Sequence, residues 1–314
     1  MNSKSSLHKT GVLFALVTVV LWGILPFFLL EALKSLDGLS IVWFRNLFST
    51  AFLLVGFLIF QPRSLLTLKN PKPSLIIAGF LIATNYVGFI KGLDYTSANN
   101  AQVLIQLAPL LFAVFGVYFF KESLNRYQIL GLLVANCGFL VFYRDQLLHL
   151  FGSHARYNIG NLYILLAAIT WALYAALNKI NFKQISPQVI NLFQYAMSVI
   201  IFAPFVDYDR ILNLGWQEFA VLCFCGLNTT LAYGCLGEAI TRIPAAKVSI
   251  MITLNPLITI FMGSLAFFLP IPGVPAQLMN WPSYLGALLV IGGAVLVVSQ
   301  KRNSKVIKSL AEPH

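Results

Sequence analysis

A chain of 314 residues that is 59% hydrophobic and only 10% charged cannot surround itself with water. A soluble domain needs roughly a quarter of its residues charged, so a globular cytosolic protein is excluded and an integral membrane protein is indicated. The formal net charge of +11 does not mark a nucleic-acid binder, because the lysines and arginines flank long apolar runs.

Those runs are close to the ~20 residues that a helix needs to cross about 30 Å of hydrocarbon. Ten spans are predicted, at 11–32, 39–60, 73–92, 98–119, 127–144, 160–180, 187–206, 216–240, 244–269 and 282–300. The first follows a short basic leader (Lys4, Lys9) and ends without a small-residue cleavage site, so it reads as a retained span and not as a signal peptide. Trp22 lies well inside it, too deep for an interfacial belt; lining a cavity and packing a core both suit it. In the second span Arg45 is an intramembrane cation, expected to snorkel outward or to pair with an acid. The third carries Asn85 and Tyr86 mid-span, and Lys91 and Asp94 at its end, where they are expected to pair.

Gln102 and Gln106 sit one turn apart in the fourth span, followed by Pro109, which removes a helix hydrogen bond and bends the axis. The fifth span holds Gly131 and Gly138, a small-residue face suited to close helix packing, either within the chain or between protomers. A link near 145–159 leads to the sixth span with Trp171, Tyr174 and Asn178. Asn191, Gln194 and Tyr195 share about one turn of the seventh. The eighth carries Asn228, Thr229, Thr230 and Tyr233, with Glu238 near its end. Lys247 opens the ninth, so Glu238 and Lys247 are expected to pair as an inner gate. Asn255 and Pro256 follow. A proline-rich insertion, Pro270 to Pro282, reads as a stiff loop before the tenth span, which repeats the small face with Gly286 and Gly293. The cysteines (Cys137, Cys223, Cys225, Cys235) all fall inside spans, where small apolar packing is the ordinary role and no disulfide framework is implied.

The chain is written twice. Gly11, Trp22, Lys34, Ile41 and Phe44 recur in order as Gly160, Trp171, Lys183, Ile190 and Phe193. Gly79, Tyr86, Ala98, Leu107, Pro109 and Gly116 recur as Gly226, Tyr233, Ala245, Leu254, Pro256 and Gly263. The copies divide the chain into 1–150 and 151–314. Five spans per copy is an odd number, so the second copy must sit upside down relative to the first, which is the plan of a secondary transporter. The basic residues set the orientation. Lys4, Lys9, Arg63, Lys69, Lys72, Lys121, Arg126, Lys179, Lys183, Arg242, Lys247 and the C-terminal Lys301, Arg302, Lys305 and Lys308 fall on one side. Only Lys34, Lys91, Arg144, Arg156 and Arg210 fall on the other. The positive-inside rule then puts both termini in the cytoplasm of a cell (inner) membrane.

Enzymatic readings lack their parts. All four histidines (His8, His149, His154, His314) lie outside the spans, so no intramembrane nucleophile–base pair or zinc helix can be assembled. No phosphate-cradling glycine loop is present, and no cofactor or metal is expected.

The chain resembles the drug/metabolite transporter superfamily, and within it the EamA-type ten-helix transporters. The resemblance rests on Gly11 through Trp22-Gly23 to Pro26, Arg45, Leu93 through Thr96-Ser97-Ala98 to Ala101, Pro109 to Gly116, and Lys121-Glu122. In the second copy it rests on Trp171, Ile240 to Pro244-Ala245-Ala246, Pro256, Gly263, and Gly286 to Gly293. It implies a basket of ten helices around a cavity lined mainly by spans one, three, four, six, eight and nine. It also implies transport of amino acids, metabolites or drugs, often outward. An acid that the family often carries after span nine is replaced here by Leu269-Pro270.

The reading from sequence is an all-α membrane protein of two inverted five-helix repeats that moves a small polar or amphipathic metabolite, with amino-acid export as the leading substrate assignment. Trp22, Asn85, Tyr86, Gln102, Gln106, Trp171, Tyr174, Asn228, Tyr233 and Asn255 are the expected substrate residues. Glu238, Lys247, Lys91, Asp94, Pro109 and Pro256 are the expected gating and coupling residues, with protons as the candidate coupling ion and Glu238 the first carboxylate considered. The expected partners are a small-molecule substrate and the lipid bilayer, not nucleic acid, and monomer and homodimer both stay open. An uncoupled facilitator or channel and a non-transporting receptor or scaffold are the competing readings.

Overall fold

The computed structural model describes residues 2–96, 98–122, 125–142, 144, 155–269, 274 and 281–299. They form α1 (Asn2–Ala32), α2 (Gly38–Phe60), α3 (Pro73–Tyr95), α4 (Ala98–Leu104), α5 (Leu107–Tyr118), α6 (Arg126–Phe142) and α7 (Ala155–Asn181). The chain continues with α8 (Pro187–Phe202), the short α9 (Tyr208–Leu212), α10 (Trp216–Arg242), α11 (Ala245–Ile252), α12 (Asn255–Phe268) and α13 (Trp281–Ser299). Eight stretches among the described residues are long and apolar enough to cross a membrane, and α13 contains a shorter apolar run, Tyr284–Val297.

Helix starts follow local chemistry. Pro73 and Pro187 stand at the first turns of α3 and α8, where a missing N–H matters least and a fixed φ suits the helix. Asp37 caps α2 by accepting from the N–H groups of Leu39 and Ser40 at 2.8 and 3.1 Å. The proline-rich insertion lies almost wholly outside the described residues, with Pro282 the second residue of α13.

The predicted fourth and ninth spans are each broken in two. The break does not fall at the proline but two to four residues before it, at Ile105–Gln106 and at Thr253–Leu254. Pro109 has no N–H for the carbonyl of Ile105, one helical turn earlier. That carbonyl instead accepts from Ala108 N at 2.9 Å, a tighter turn that swings the axis. In the second copy a tight turn also marks the break, with Leu254 N reaching Met251 O at 3.0 Å, one residue earlier relative to the proline.

The packing pairs repeat when the halves are exchanged. The opening helix of each half, α1 and α7, lies against the third helix of the other half, α10 and α3. The same two openers also pack on the later part of the opposite broken helix: α1 on α12, and α7 on α5. The second helices of the halves, α2 and α8, pair, and so do the fifth, α6 and α13. Exchange symmetry of this kind is what two inverted five-helix repeats produce, so the all-α inverted-repeat membrane fold expected from sequence is the one found.

Glycine makes the α6–α13 contact possible. A Cβ added to Gly131 would stand 2.8 Å from the carbonyl oxygen of Gly293, and one on Gly138 would stand 2.8 Å from that of Gly286. Thus the two small faces seen in the sequence meet each other within one chain, backbone on backbone.

Candidate functional site

The two broken helices cross at the centre of the bundle, and a cavity of about 90 Å³ lies at the crossing. One water needs roughly 10–15 Å³ by this measure, so the space admits a small solute. The opening helices contribute Trp22, Leu25 and Pro26 from α1 and Trp171 from α7. Asn85, Tyr86 and Phe89 come from α3, and Tyr233 from α10. The break regions supply Gln102, Ile105, Gln106, Ala108 and Pro109 on one side and Ile252 and Asn255 on the other. Arg45 of α2 completes the wall.

Repeat-related aromatic rings form the floor of the site. Trp22 meets Trp171 at a centroid distance of 5.9 Å and Tyr233 at 5.1 Å, both edge to face. Tyr233 also meets Tyr86 at 5.9 Å, Tyr174 at 6.1 Å and Tyr195 at 6.5 Å, and Phe112 abuts Trp171 at 6.0 Å. Such perpendicular contacts match a ring edge to a ring face and hold each ring in place. Lining the cavity and packing the core are therefore not alternatives for Trp22 and Trp171, since each does both.

Of the ten expected substrate residues, Trp22, Asn85, Tyr86, Gln102, Gln106, Trp171, Tyr233 and Asn255 line this space. Tyr174 does not, and stands behind Tyr233 as packing. Asn228 is likewise outside the lining. Its Nδ2 donates to the carbonyl of Leu21 at 2.8 Å and ties α10 to α1. Asn85 makes a similar tie, donating to Ala167 O at 2.9 Å, while still facing the cavity. Side-chain oxygens of three lining residues, Tyr86 Oη, Gln106 Oε1 and Asn255 Oδ1, are buried with no hydrogen-bond partner among the described residues. Buried polar atoms are normally paired, so unpaired ones around a cavity mark where a ligand would bond.

The charged gating residues stand away from the cavity, while the two prolines lie at or beside it. Pro109 lines the cavity and Pro256 is buried at the start of α12. Glu238 pairs with Arg242 on its own helix and accepts from Gln188, while Lys247 Nζ lies 3.0 Å from His8 Nε2. The expected Glu238–Lys247 pairing is thus replaced, because Arg242 lies one turn from Glu238 along α10 and reaches it first. No ion pair among the described residues joins Lys91 to Asp94. The cross-half ion pair is one the sequence reading did not foresee: Glu122 Oε1 accepts from Lys179 Nζ and from the N–H of Ala245 at 3.1 Å. One carboxylate after α5 thereby holds the end of α7 and the first turn of α11, whose free N–H groups favour an anion.

Arg45 does not snorkel, and among the described residues it pairs with no acid. It is 5% exposed, and its Nε and Nη2 both donate to Thr229 Oγ1, at 3.0 and 2.9 Å. Its guanidinium carbon sits 5.7 Å from the centre of the Tyr86 ring, a cation–π distance.

Comparison with known proteins now decides the family. A model of the EamA-like transporter family matches residues 9–144 and 158–299. The chain belongs to the EamA-like transporter family. It is 32% identical to a protein named uncharacterized inner membrane transporter YhbE of Escherichia coli (strain K12), over 91% of this chain and 90% of that one. It is 31% identical to a protein named uncharacterized transporter of Haemophilus influenzae, over 91% of this chain and 94% of the relative. A solved crystal structure superposes with a TM-score of 0.71 at 15% identity, covering 92% of this chain and 97% of that one, a likeness of fold alone. As an EamA-like transporter the protein takes a small-molecule substrate and works within a lipid bilayer. The cavity walls come from the spans that the resemblance implied (one, three, four, six, eight and nine) with Arg45 of the second added.

Proposed function

We propose that this EamA-like transporter is a secondary exporter of amino acids that works by alternating access. The observation that carries the reading is the central cavity itself, set at the crossing of two broken helices and walled by both halves of the chain. A site shared by two inverted halves is exposed first to one side and then to the other when the halves rock about it. Gln102, Gln106, Asn85 and Asn255 would bond the backbone groups of an amino acid, and Trp22, Trp171, Tyr86 and Tyr233 would pack on its side chain. Residues 1–150 and 151–314 form the two moving halves. The lysine and arginine bias puts both termini in the cytoplasm, and the E. coli relative, whose printed name places it in the inner membrane, supports the same membrane here.

Protons are the proposed coupling ion. Among the described residues no carboxylate lines the cavity, so coupling would act through the contacts between helices, with Glu238 and Glu122 as the candidates. The test is counterflow in proteoliposomes: radiolabelled amino acids should exchange across the bilayer, faster under a proton gradient. Flux that ignores the gradient would favour an uncoupled facilitator, and binding without flux a receptor.

A further inference from the structure

We propose that Arg45 is the anion-recognition residue of the cavity and that the transported molecules are monocarboxylates, zwitterionic amino acids among them. The inference rests on the transporter reading and deepens it by naming the group that every substrate must carry.

Arg45 lies about 10 Å along α2 from Gly38, at 1.5 Å per residue, and so within the apolar slab. At that depth an arginine normally snorkels to the interface or meets an acid. Here the side chain is 5% exposed and its contacts are all neutral: the Thr229 hydroxyl and the Tyr86 ring. Among the described residues no carboxylate pairs with it. A guanidinium stays protonated in proteins, so the cavity wall carries a full positive charge with no counter-ion of its own. Taking a charge out of water is costly and removing its partner leaves that cost uncompensated. An arriving anion supplies the partner.

The fork geometry narrows the anion. Both bonds to Thr229 come from Nε and Nη2, and Nη1 has no partner among the described residues. Thr229 and the Tyr86 ring together fix the plane of the fork, which leaves its Nη1 edge for a planar carboxylate. A phosphate monoester carries close to two charges, and Arg45 is the one cation among the lining residues, so a single negative charge fits best. An ammonium on the same molecule would find the unpaired oxygens of Gln106 and Asn255 and the aromatic faces. Net cations would be repelled by Arg45.

The test uses matched probes on the full-length protein in nanodiscs and proteoliposomes: leucine, phenylalanine and their deaminated acids, against leucinamide, phenylalaninamide and the corresponding amines. Removing the carboxylate should cut ligand-induced thermal stabilisation and flux at least tenfold, whereas removing the amine should cut them less. Arg45→Lys should weaken the acids' apparent affinity at least tenfold. Arg45→Met, which removes the unpaired charge, should leave the melting temperature without ligand unchanged or higher and abolish the response to acids. Equal flux of acids and their amides would overturn the inference and leave the transporter intact. A lower ligand-free melting temperature in Arg45→Met, with a wild-type response to acids, would reduce Arg45 to a structural residue. If the folded protein neither binds nor moves any probe of either class, the amino-acid reading falls together with this one.

Discussion

Trp22 and Trp171, which occupy matching positions in the two copies of the sequence, touch edge to face with centroids 5.9 Å apart and planes at 75°. Equivalent residues of two inverted halves can meet only near the axis that relates them. The contact therefore lies where the proposed rocking would carry the halves past one another, and Trp22 and Trp171 also form part of the wall of the cavity.

Trp171→Ala should lower amino-acid flux at least tenfold. Trp171 is buried against Trp22 and Phe112, so some stability will go with it, about 1–3 kcal/mol where one side of the ring faces a cavity rather than packed core. Trp171→Phe keeps an aromatic ring and should recover most of the stability but only part of the flux. Wild-type flux in Trp171→Ala would remove this residue from the site.

Thr229→Val deletes the acceptor that orients Arg45 while keeping size and shape. Thr229 Oγ1 takes two N–H groups from Arg45 and donates to Cys225 O at 2.8 Å. Loss of hydrogen bonds to a charged group is worth about 1.5–3 kcal/mol, so apparent affinity for substrate should fall roughly tenfold or more with maximal flux changed less. Unchanged affinity would show that the guanidinium holds its place without the threonine.

Glu122→Gln should loosen the end of the molecule that carries the N-terminus. Among the described residues, Glu122 is the ion-paired acid near that end that joins elements of both copies, and the pair with Lys179 is mostly shielded from solvent. Glu238, paired within α10 and bonded to Gln188 of α8, stays inside the second half. Acceleration by a proton gradient should therefore be lost in Glu122→Gln and survive in Glu238→Gln. Proteoliposome flux with and without a gradient separates the two, and loss in Glu238→Gln alone would return coupling to that residue.

Gly138→Val should separate α6 from α13. An added Cβ already meets Val290 N at 2.7 Å and Gly286 O at 2.8 Å, both backbone atoms that cannot turn aside. Overpacking of this kind costs about 1–3 kcal/mol, so the melting temperature in detergent should drop by several degrees. Gly292→Ala, at a position with open space around it, serves as the control and should be neutral.

Much of this was legible in the chain because lipid imposes strict rules on it. A helix must be about as long as the slab is thick, so apolar run length gave the spans to within a few residues, and the odd number per copy gave the inversion. The doubled Pro109 and Pro256 foretold broken helices, and intramembrane polarity picked out Asn85, Gln102, Gln106 and Asn255 among the residues that line the cavity. Pairing was not legible. Glu122 and Lys179 are 57 positions apart, and Arg45 and Thr229 are 184 apart. No periodicity links such residues, because only the crossing of distant helices brings them together. An arginine in a span announces that it needs a partner, but the sequence does not say which. The tertiary structure decides that Arg45 faces a hydroxyl, a ring and a cavity rather than an acid, since side-chain direction at that depth depends on how α2, α3 and α10 pack. Composition and repetition thus determined a two-fold transporter body. The charge inside its cavity was decided by packing alone.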